Sequence, residues 1–167
     1  QGDFLLITGP NGGGKTSLLR TILRLQSPTK GRISFFRQGE PVSSLDMGYL
    51  PQKNSIDSRF PITVEEVVAS GLMGNTQKGN TKFDSKKEID EMLDLMGITA
   101  LRNKPIGVLS GGQLQRSLFG RALISKPEML ILDEPASYID RQFGNRMFEI
   151  LRDLSSNGTT IMMVSHE

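Results

Sequence analysis

Glycines and a lysine at a fixed spacing make residues 9–16 a candidate binding loop for phosphate groups. The stretch reads Gly-Pro-Asn-Gly-Gly-Gly-Lys-Thr and fits the pattern GxxxxGK(S/T). Glycines let backbone N–H groups turn toward phosphate oxygens, and the ammonium of Lys15 would attract the β- and γ-phosphates of a nucleoside triphosphate. The hydroxyl of Thr16 is a ligand that Mg²⁺ accepts. The expected phosphate site comprises Gly9, Pro10, Asn11, Gly12, Gly13, Gly14, Lys15 and Thr16.

Two carboxylates, Asp133 and Glu134, directly follow an apolar run at 129–132. A continuous apolar run is typical of a parallel strand that is buried on both faces. Asp133 should then emerge at the carboxyl edge of the sheet, where ligands of open α/β sheets bind. We expect Asp133 to be a partner of Mg²⁺ and Glu134 to orient or deprotonate an attacking water. Acids often end strands, so this signal depends on the phosphate loop upstream.

A second helix start with glycines lies at 110–113, which reads Ser-Gly-Gly-Gln. Its spacing fits a capping box that opens a helix to about residue 124, and such a terminus can attract an anion. On these four residues alone, an ordinary serine-capped helix is the better explanation.

Strands and helices must bring these motifs together. The predicted strands are 4–8, 32–36, 47–50, 129–132 and 159–164, and helices are predicted at about 15–25, 63–72, 110–124 and 141–155. A further capping box, Ser85 to Glu88, is expected to open a helix with one apolar face, formed by Ile89, Met92, Leu93 and Met96. Loops are predicted at 51–61 and 73–83, the second as a mobile surface loop without an assigned function.

Strands that alternate with helices at both ends of the chain predict an α/β fold with a mostly parallel sheet flanked by helices. The middle, about 61–125, is predicted to be helical only and reads as an inserted α-helical subdomain. The α/β core would then comprise residues 1–60 and 126–167 of a single domain. Both ends of the chain look cut, so we expect this to be the central part of a longer polypeptide.

Composition excludes several classes of function. With 167 residues the chain is long enough for one domain with a core, and its net charge of +2 provides no strong field for nucleic acid or lipid. It has no cysteine, so no disulfide or thiolate metal site is possible, as fits a reducing compartment. No apolar run approaches the roughly 18 residues of a membrane span, and no signal peptide opens the chain. A link to a membrane would therefore run through a partner protein.

With these motifs in this order, the chain resembles the ATP-binding subunit of ABC transporters over essentially its whole length. The most specific feature is Leu-Ser-Gly-Gly-Gln at 109–113, between the two nucleotide motifs. The resemblance implies the P-loop NTPase fold, ATP and Mg²⁺, ATP hydrolysis, and a homodimer that sandwiches ATP. In that family the signature of one subunit closes over the γ-phosphate bound by the other. The residues expected to act across the dimer are Ser110, Gly111, Gly112, Gln113 and Asp140.

The resemblance implies roles for further residues. Gln52 matches the glutamine loop, which contacts Mg²⁺ and the γ-phosphate and lies against the membrane subunit. His166 matches the switch histidine, which contacts the γ-phosphate and Glu134; a solvent-facing histidine is the alternative. Ser17 completes the ATP-binding loop. Residues 136–140 occupy the D-loop position, where Ala-Ser-Tyr-Ile-Asp departs from the family's more frequent Ser-Ala-Leu-Asp.

The stretch Arg-Phe-Pro-Ile-Thr-Val-Glu-Glu-Val-Val at 59–68 is similar to the corresponding segment of zinc and manganese importers. Iron-chelate importers have a related sequence in this segment. A capping box followed by a buried stripe of valines is a structural explanation of the same residues. The resemblance implies a transmembrane permease, contacted through the Gln52 loop and the helical subdomain, and indirectly a substrate-binding protein. It places the chain peripherally at the cytoplasmic face of the membrane, with no nucleic-acid partner.

Two alternatives to a transporter subunit stay open. One is a soluble ABC ATPase of translation, DNA repair or iron–sulfur assembly. The 93 residues between Thr16 and Ser110 show no sustained heptads, which disfavours the DNA-repair branch. The other is a nucleotide-binding regulatory module without turnover, against which the presence of both Glu134 and His166 argues.

Overall fold

A parallel sheet of four strands forms the centre of the computed structural model, which describes residues 2–10, 12–52, 60–73 and 82–165. The strands lie in the order β1-β6-β5-β4, and two further strands form a separate antiparallel hairpin. The strands are β1 (Phe4–Thr8), β2 (Phe35–Arg37), β3 (Glu40–Val42), β4 (Met47–Leu50), β5 (Met129–Asp133) and β6 (Thr160–Ser165). The helices are α1 (Lys15–Ile22), α2 (Val64–Ser70), α3 (Lys82–Leu95), α4 (Gly111–Leu123) and α5 (Arg141–Ser156). The predicted α/β class with a parallel sheet is confirmed.

Strand β5 shows why helices cover both faces of the sheet. All five of its residues are buried, and successive side chains of a strand point to opposite faces. Met129 and Ile131 pack in one cluster with Leu19 of α1. Leu130 and Leu132 pack in the larger cluster, to which α2, α3, α4 and α5 contribute. A strand with four consecutive apolar residues and burial at every position is therefore stable only at the centre of a sheet between two helical layers.

Helix α4 lies so close to its neighbours that two of them require glycine at the contact. A Cβ atom at Gly48 of β4 would collide with the carbonyl oxygen of Ala122. A Cβ atom at Gly71, which follows α2, would collide with the carbonyl oxygen of Arg121. The last turn of α4 is thus wedged between the sheet and α2. This packing fixes where the first turn of α4 emerges.

The helical middle of the chain shares its core with the sheet. Between β4 and β5 the described residues contain α2, α3, two short 3₁₀ turns at Thr99–Leu101 and Ile106–Val108, and α4, but no strand. Val64, Val68 and Leu93 belong to the same cluster as Leu50 and Leu132. The division of the chain into an α/β core and a helical subdomain stays a prediction. None of the helices in the described part of the chain is both long and apolar enough to span a bilayer.

Several local predictions are confirmed. Thr63 caps α2 in a capping box with Glu66, and Ser110 caps α4 in a capping box with Gln113. Of the four residues predicted to form one apolar face, Ile89 and Leu93 of α3 are buried, Met92 is partly buried, and Met96 is buried directly after the end of the helix.

Three local predictions are wrong, each for a conformational reason. Ser85 does not open α3, because the helix already begins at Lys82. Helix α1 ends at Ile22 rather than near residue 25, because Arg24 takes a left-handed conformation with φ 58°. The strand predicted at 32–36 is displaced to Phe35–Arg37 and pairs with β3 through the turn at Gln38 and Gly39, which have φ 53° and 86°. Two left-handed residues are typical of a tight hairpin turn, and Gln is an unusual residue in it.

The loops predicted at 51–61 and 73–83 lie mostly outside the described residues.

Candidate functional site

The parallel register brings the carboxyl ends of all four strands to one edge of the sheet. Thr8 of β1 pairs with Ser165 of β6, Val164 pairs with Asp133 of β5, and Leu132 pairs with Leu50 of β4. The segments that follow β1, β4 and β5 carry the candidate phosphate loop, Gln52 and Glu134. The fold therefore places at one edge the residues that the sequence separates by more than a hundred positions.

The candidate phosphate loop folds back around the ammonium of Lys15. Its Nζ donates to the carbonyl oxygens of Gly9 at 2.7 Å and Pro10 at 2.9 Å. Gly12 and Gly14 have φ of 78° and 82°, a left-handed conformation that glycine adopts without strain. Gly14 is the N-cap of α1, so the first backbone N–H groups of α1 have no side chain of the cap to bind them. The loop thus combines a cation with a helix terminus, as an anion site requires.

Thr16 and Asp133 join the loop to the sheet. The hydroxyl of Thr16 donates to Oδ2 of Asp133 at 2.9 Å, across 117 positions of sequence. Asp133 is only 1% exposed, although it ends a strand at the sheet edge. A buried carboxylate next to a hydroxyl provides hard oxygen donors at the base of the loop.

One cavity unites these groups. It has a volume of about 200 Å³ and is lined by Gly12, Gly13, Gly14, Lys15, Thr16, Ser17, Gln52 and Glu134. Asp133 supports this cavity through Thr16. The structure therefore brings together the residues that the sequence assigned to phosphate binding, the glutamine loop and the water-activating carboxylate. Asn11 and His166, assigned to the same site, lie outside the described residues.

Glu134 has an unusual backbone conformation. Its φ is 53°, in the left-handed region, where a non-glycine residue costs about 1–3 kcal/mol. Its backbone N–H donates to the carbonyl oxygen of Val164 at 2.9 Å, which extends the β5–β6 ladder by one bond. Strained backbone at the end of a buried strand is frequent where a reacting group must be aimed at a ligand.

The residues around this cavity fit Mg²⁺. Thr16, Gln52 and Asp133 offer a hydroxyl, an amide carbonyl and a carboxylate, which are the oxygen donors that this ion prefers. Magnesium is usually held by one or two carboxylates together with water and substrate phosphates rather than by a cage of protein ligands. In the described part of the chain, no three His, Cys, Asp or Glu side chains gather into a metal cluster. The donor set thus suits an ion that arrives with a phosphate ligand.

The Ser-Gly-Gly-Gln motif lines a different cavity. This cavity has a volume of about 530 Å³ and shares no lining residue with the first; it is lined by Gly97, Ile98, Leu101, Ser110, Gly111, Gly112, Gln113, Arg116, Tyr138 and Asp140. The hydroxyl of Ser110 accepts from the N–H of Gln113 at 3.3 Å, and the side-chain oxygen of Gln113 accepts from the N–H of Ser110 at 3.0 Å. Within one chain, the structure does not bring this motif to the phosphate loop.

Asp140 lies in the second cavity and begins α5. Its carboxylate accepts from the N–H of Phe143 at 2.9 Å and from the guanidinium of Arg116. The bond from Phe143 first, and then the bond from Arg116, hold the pKa of Asp140 below its usual value. The carboxylate therefore stays charged throughout the neutral range.

Two residues next to the signature were given no role from the sequence. Gln115 is 2% exposed and its amide reaches the backbone of Pro135, while Arg116 reaches Asp140 and the ring of Phe143. A glutamine and an arginine inside a helix carry no local signal for such contacts, because both residues are common on helix surfaces.

Known proteins are similar to this chain in sequence and in fold. A family model described as "ABC transporter" matches residues 1–137. The chain is 42% identical to a probable metal transport system ATP-binding protein of Chlamydia pneumoniae, over 100% of this chain and 69% of that protein. It is 39% identical to the zinc uptake system ATP-binding protein ZurA of Listeria monocytogenes, over 100% of this chain and 67% of that protein. Among solved structures, it is similar to a dimeric ATP-binding cassette in a post-hydrolysis state bound to ADP and Pi, with a TM-score of 0.84 and 26% identity over 99% of this chain and 75% of that one.

Proposed function

Because this chain belongs to the ABC transporter family of ATP-binding proteins, we propose that it is the subunit that drives a membrane importer of a metal ion or metal chelate. The chain binds ATP and hydrolyses it, as members of this family do. The observation that carries the proposal is the single cavity lined by the phosphate loop, Gln52 and Glu134. A loop that only binds phosphate would not need a carboxylate in the same cavity as its lysine.

The proposed reaction is an in-line attack of water on the γ-phosphate, which breaks the bond to the oxygen that bridges the β- and γ-phosphates and releases ADP and phosphate. Lys15, held at the loop by Gly9 and Pro10, neutralises charge on the phosphates, and the N–H groups at the start of α1 bind their oxygens. Glu134 orients the water or accepts its proton. His166 is proposed to hold the γ-phosphate and Glu134 in place, and Asn11 to belong to the phosphate loop; both roles come from the family resemblance. Catalysis then depends mainly on positioning and on charge stabilisation.

Magnesium is proposed as the metal of the site. Thr16, Gln52 and Asp133 would hold it, because their oxygen donors fit its preference. When bound, the ion supplies positive charge next to the phosphate oxygens. The bond from Thr16 to Asp133 keeps the two oxygens of these side chains 2.9 Å apart.

A second copy of the chain is the proposed partner of the Ser-Gly-Gly-Gln motif. Ser110, Gly111, Gly112, Gln113 and Asp140 line a cavity separate from that of the phosphate loop, so their cavity faces no nucleotide bound by their own chain. The dimeric cassette bound to ADP and Pi supports an arrangement in which two copies face each other. The five residues would then complete the site of the opposite copy.

A permease in the membrane is the second proposed partner. It would be contacted through Gln52 and the helical subdomain, which places the chain peripherally at the cytoplasmic face of the membrane. Phe60, which precedes α2 in the sequence, is 59% exposed, and Met73, which follows it, is 81% exposed. These side chains supply apolar surface for such a contact. A substrate-binding protein would take part only indirectly.

The cargo is proposed from two sources. The relatives are named for metal transport and zinc uptake, and the stretch 59–68 resembles that of zinc and manganese importers. In this arrangement the metal passes through the permease. The ATP-hydrolysing chain itself does not bind the cargo.

The substitution Glu134→Gln tests the proposal in the full-length protein, purified with and without its permease. ATP turnover should fall at least a hundredfold, because general-base catalysis contributes about 10²–10⁴ in rate. ATP binding should persist, and ATP should drive dimer formation in analytical ultracentrifugation. Glu149→Gln, at an exposed position of α5, is the matched control and should hydrolyse ATP at the wild-type rate.

Two outcomes would count against the proposal. Normal turnover of the Glu134→Gln variant would remove Glu134 from the chemistry. Wild-type hydrolysis that is stimulated by ribosomes or nucleic acid and is indifferent to the permease would favour a soluble ABC ATPase instead.

A further inference from the structure

The segment from Glu134 to Asp140, here called the 134–140 linker, connects β5 to α5 in a strained conformation. Two of its non-glycine residues, Glu134 and Tyr138, have left-handed φ of 53° and 69°. Such residues persist only where their surroundings impose the conformation. The contacts that impose it on this linker therefore also determine where the Glu134 carboxylate lies.

One end of the 134–140 linker is held by Gln115, from the middle of α4. The side-chain N–H of Gln115 donates to the carbonyl oxygen of Pro135 at 3.3 Å. Pro135 is the residue directly after Glu134. The side chain is 2% exposed, and no donor among the described residues reaches its buried Oε1. A half-satisfied buried amide is unfavourable for stability alone, since an apolar side chain of similar shape would fill the same space without an unpaired atom. The presence of an amide at this position is better explained by its bond to the carbonyl of Pro135, which holds the residue next to Glu134 in place.

The other end of the 134–140 linker is held by the next residue of α4. The guanidinium of Arg116 donates to the carboxylate of Asp140 and lies over the ring of Phe143, 4.3 Å from its centroid. Asp140 also caps α5 through the N–H of Phe143. Two consecutive residues of α4 thus form hydrogen bonds to the 134–140 linker near its two ends.

The start of α4 is connected to the same segment. The backbone carbonyl oxygen of Tyr138 would lie 2.8 Å from a Cβ atom at Gly112, so only glycine permits the observed approach. The first turn of α4 and the 134–140 linker are therefore packed against each other as well as joined through Gln115 and Arg116. A shift of α4 along its axis must move the linker, because close-packed elements do not deform independently.

We propose that Gln115 is a positioning residue for ATP hydrolysis, which couples the signature at the start of α4 to the Glu134 carboxylate of the same chain. Engagement of Ser110 and Gly112 by the nucleotide of a second copy would be transmitted through α4 and the Gln115–Pro135 bond to Glu134. Arg116 anchors the far end of the linker. This inference rests on the proposed function, in which Glu134 acts on water and the signature acts across a dimer.

The test is Gln115→Met in the full-length protein with its permease. Met has a similar length but no donor for the Pro135 carbonyl, and it removes the unpaired amide oxygen. The expected result is a fall in kcat of roughly ten- to a hundredfold with an unchanged KM for ATP, since a displacement of about 1 Å can cost about a hundredfold in rate. The melting temperature should not fall. Ser117→Ala is the matched control, because Ser117 is fully buried in α4 but, among the residues that the structure describes, its hydroxyl bonds only the carbonyl of Gln113 within the helix.

A second measurement separates positioning from folding. In a Glu134→Gln background, adding Gln115→Met should cause no further loss of turnover and should leave the ATP-driven dimer at the level of the single variant. Arg116→Gln, at the partly exposed far end of the linker, is an independent variant that should lower kcat in the same way.

The outcomes are distinguishable. A kcat of Gln115→Met equal to wild type would overturn the inference while leaving the proposed function standing. A fall in kcat that Ser117→Ala reproduces, or that comes with a lower melting temperature or a lost dimer, would also overturn it, because a merely structural role would then suffice. A Glu134→Gln variant with normal turnover would overturn the proposed function and this inference together.

Discussion

Two helices of this protein have glycines at their start, just before the first residue of α1 and as the first two residues of α4, yet the backbone donors there are satisfied in different ways. Helix α1 is preceded by Gly14, in a left-handed conformation with φ 82° and without a side chain. Helix α4 is preceded by Ser110, whose extended backbone and hydroxyl complete a capping box with Gln113. The first leaves its backbone donors to a ligand, whereas the second satisfies two of them within the chain. Glycines at the start of a helix can therefore mark either a binding site with free backbone donors or a helix that is capped by its own side chains.

The surroundings reinforce this difference. Helix α1 begins at Lys15 and its start lies in the same cavity as Gln52 and Glu134. A cation, backbone N–H donors and a carboxylate of one chain therefore line one cavity. Helix α4 starts beside Tyr138, which is 75% exposed, and Asp140. At the start of α1, the described residues of a single chain bring a cation, backbone donors and a carboxylate together, whereas the start of α4 is the surface that we propose meets a second copy. The following variants test this contrast.

Lys15→Ala should produce the largest effect. It removes the only charged donor that the loop holds at Gly9 and Pro10 among the described residues. Loss of a charged hydrogen bond costs about 1.5–3 kcal/mol, or roughly ten- to a hundredfold in Kd. Isothermal titration calorimetry with ATP measures the change. The exposed Lys30→Ala is the control for loss of one positive charge, and an equal effect in both variants would mean that only overall charge matters.

Gly14→Ala should have an intermediate effect at the start of α1. A Cβ atom at this position meets nothing within 4 Å, so the whole cost arises from the left-handed backbone, about 1–2 kcal/mol. Gly14→Asn should cost less, since asparagine tolerates this conformation. Urea unfolding measures both variants. If Ala and Asn were equally destabilising, the left-handed backbone would not be the cause.

Ser110→Ala should have the smallest effect on stability. It removes the hydroxyl that caps α4 and should lower the free energy of unfolding by about 1 kcal/mol. Ser110→Thr keeps the hydroxyl and should remain close to wild type in the same urea titration. A wild-type stability for Ser110→Ala would show that the capping box of α4 is not a stabilising element, and the contrast with α1 would disappear.

Much of the fold was visible in the sequence because its signals are local. The strands at 4–8 and 47–50 and residues 129–132 of β5 follow from short apolar runs, and the capping boxes at Thr63 and Ser110 follow from the spacing of a hydroxyl and a carboxylate or amide. Local signals also misled. Ser85 has the same spacing with Glu88, but it lies inside α3, because a capping box forms only where the preceding residues leave the helix.

The candidate site was also visible in its main parts, since phosphate binding needs a loop whose glycines and lysine are contiguous. The role of Gln115 was not visible in the sequence, although its side-chain amide donates a hydrogen bond to the carbonyl of Pro135, the residue after Glu134. A residue inside a helix reveals its role only when the element that it faces is known. The hairpin partner β3 was missed for a related reason, as Gln38 gives no sign of its left-handed conformation.

By itself, the sequence determined which motifs are present, how their backbones fold locally and to which family the chain belongs. These properties depend on neighbours within a few residues, whose steric and hydrogen-bonding preferences are intrinsic. Only the tertiary structure decided that Thr16 meets Asp133, that Gln115 meets Pro135, and that the phosphate loop and the signature line separate cavities. Those contacts follow from the strand order β1-β6-β5-β4 and from the wedging of α4 between sheet and α2, which depend on the packing of the whole core.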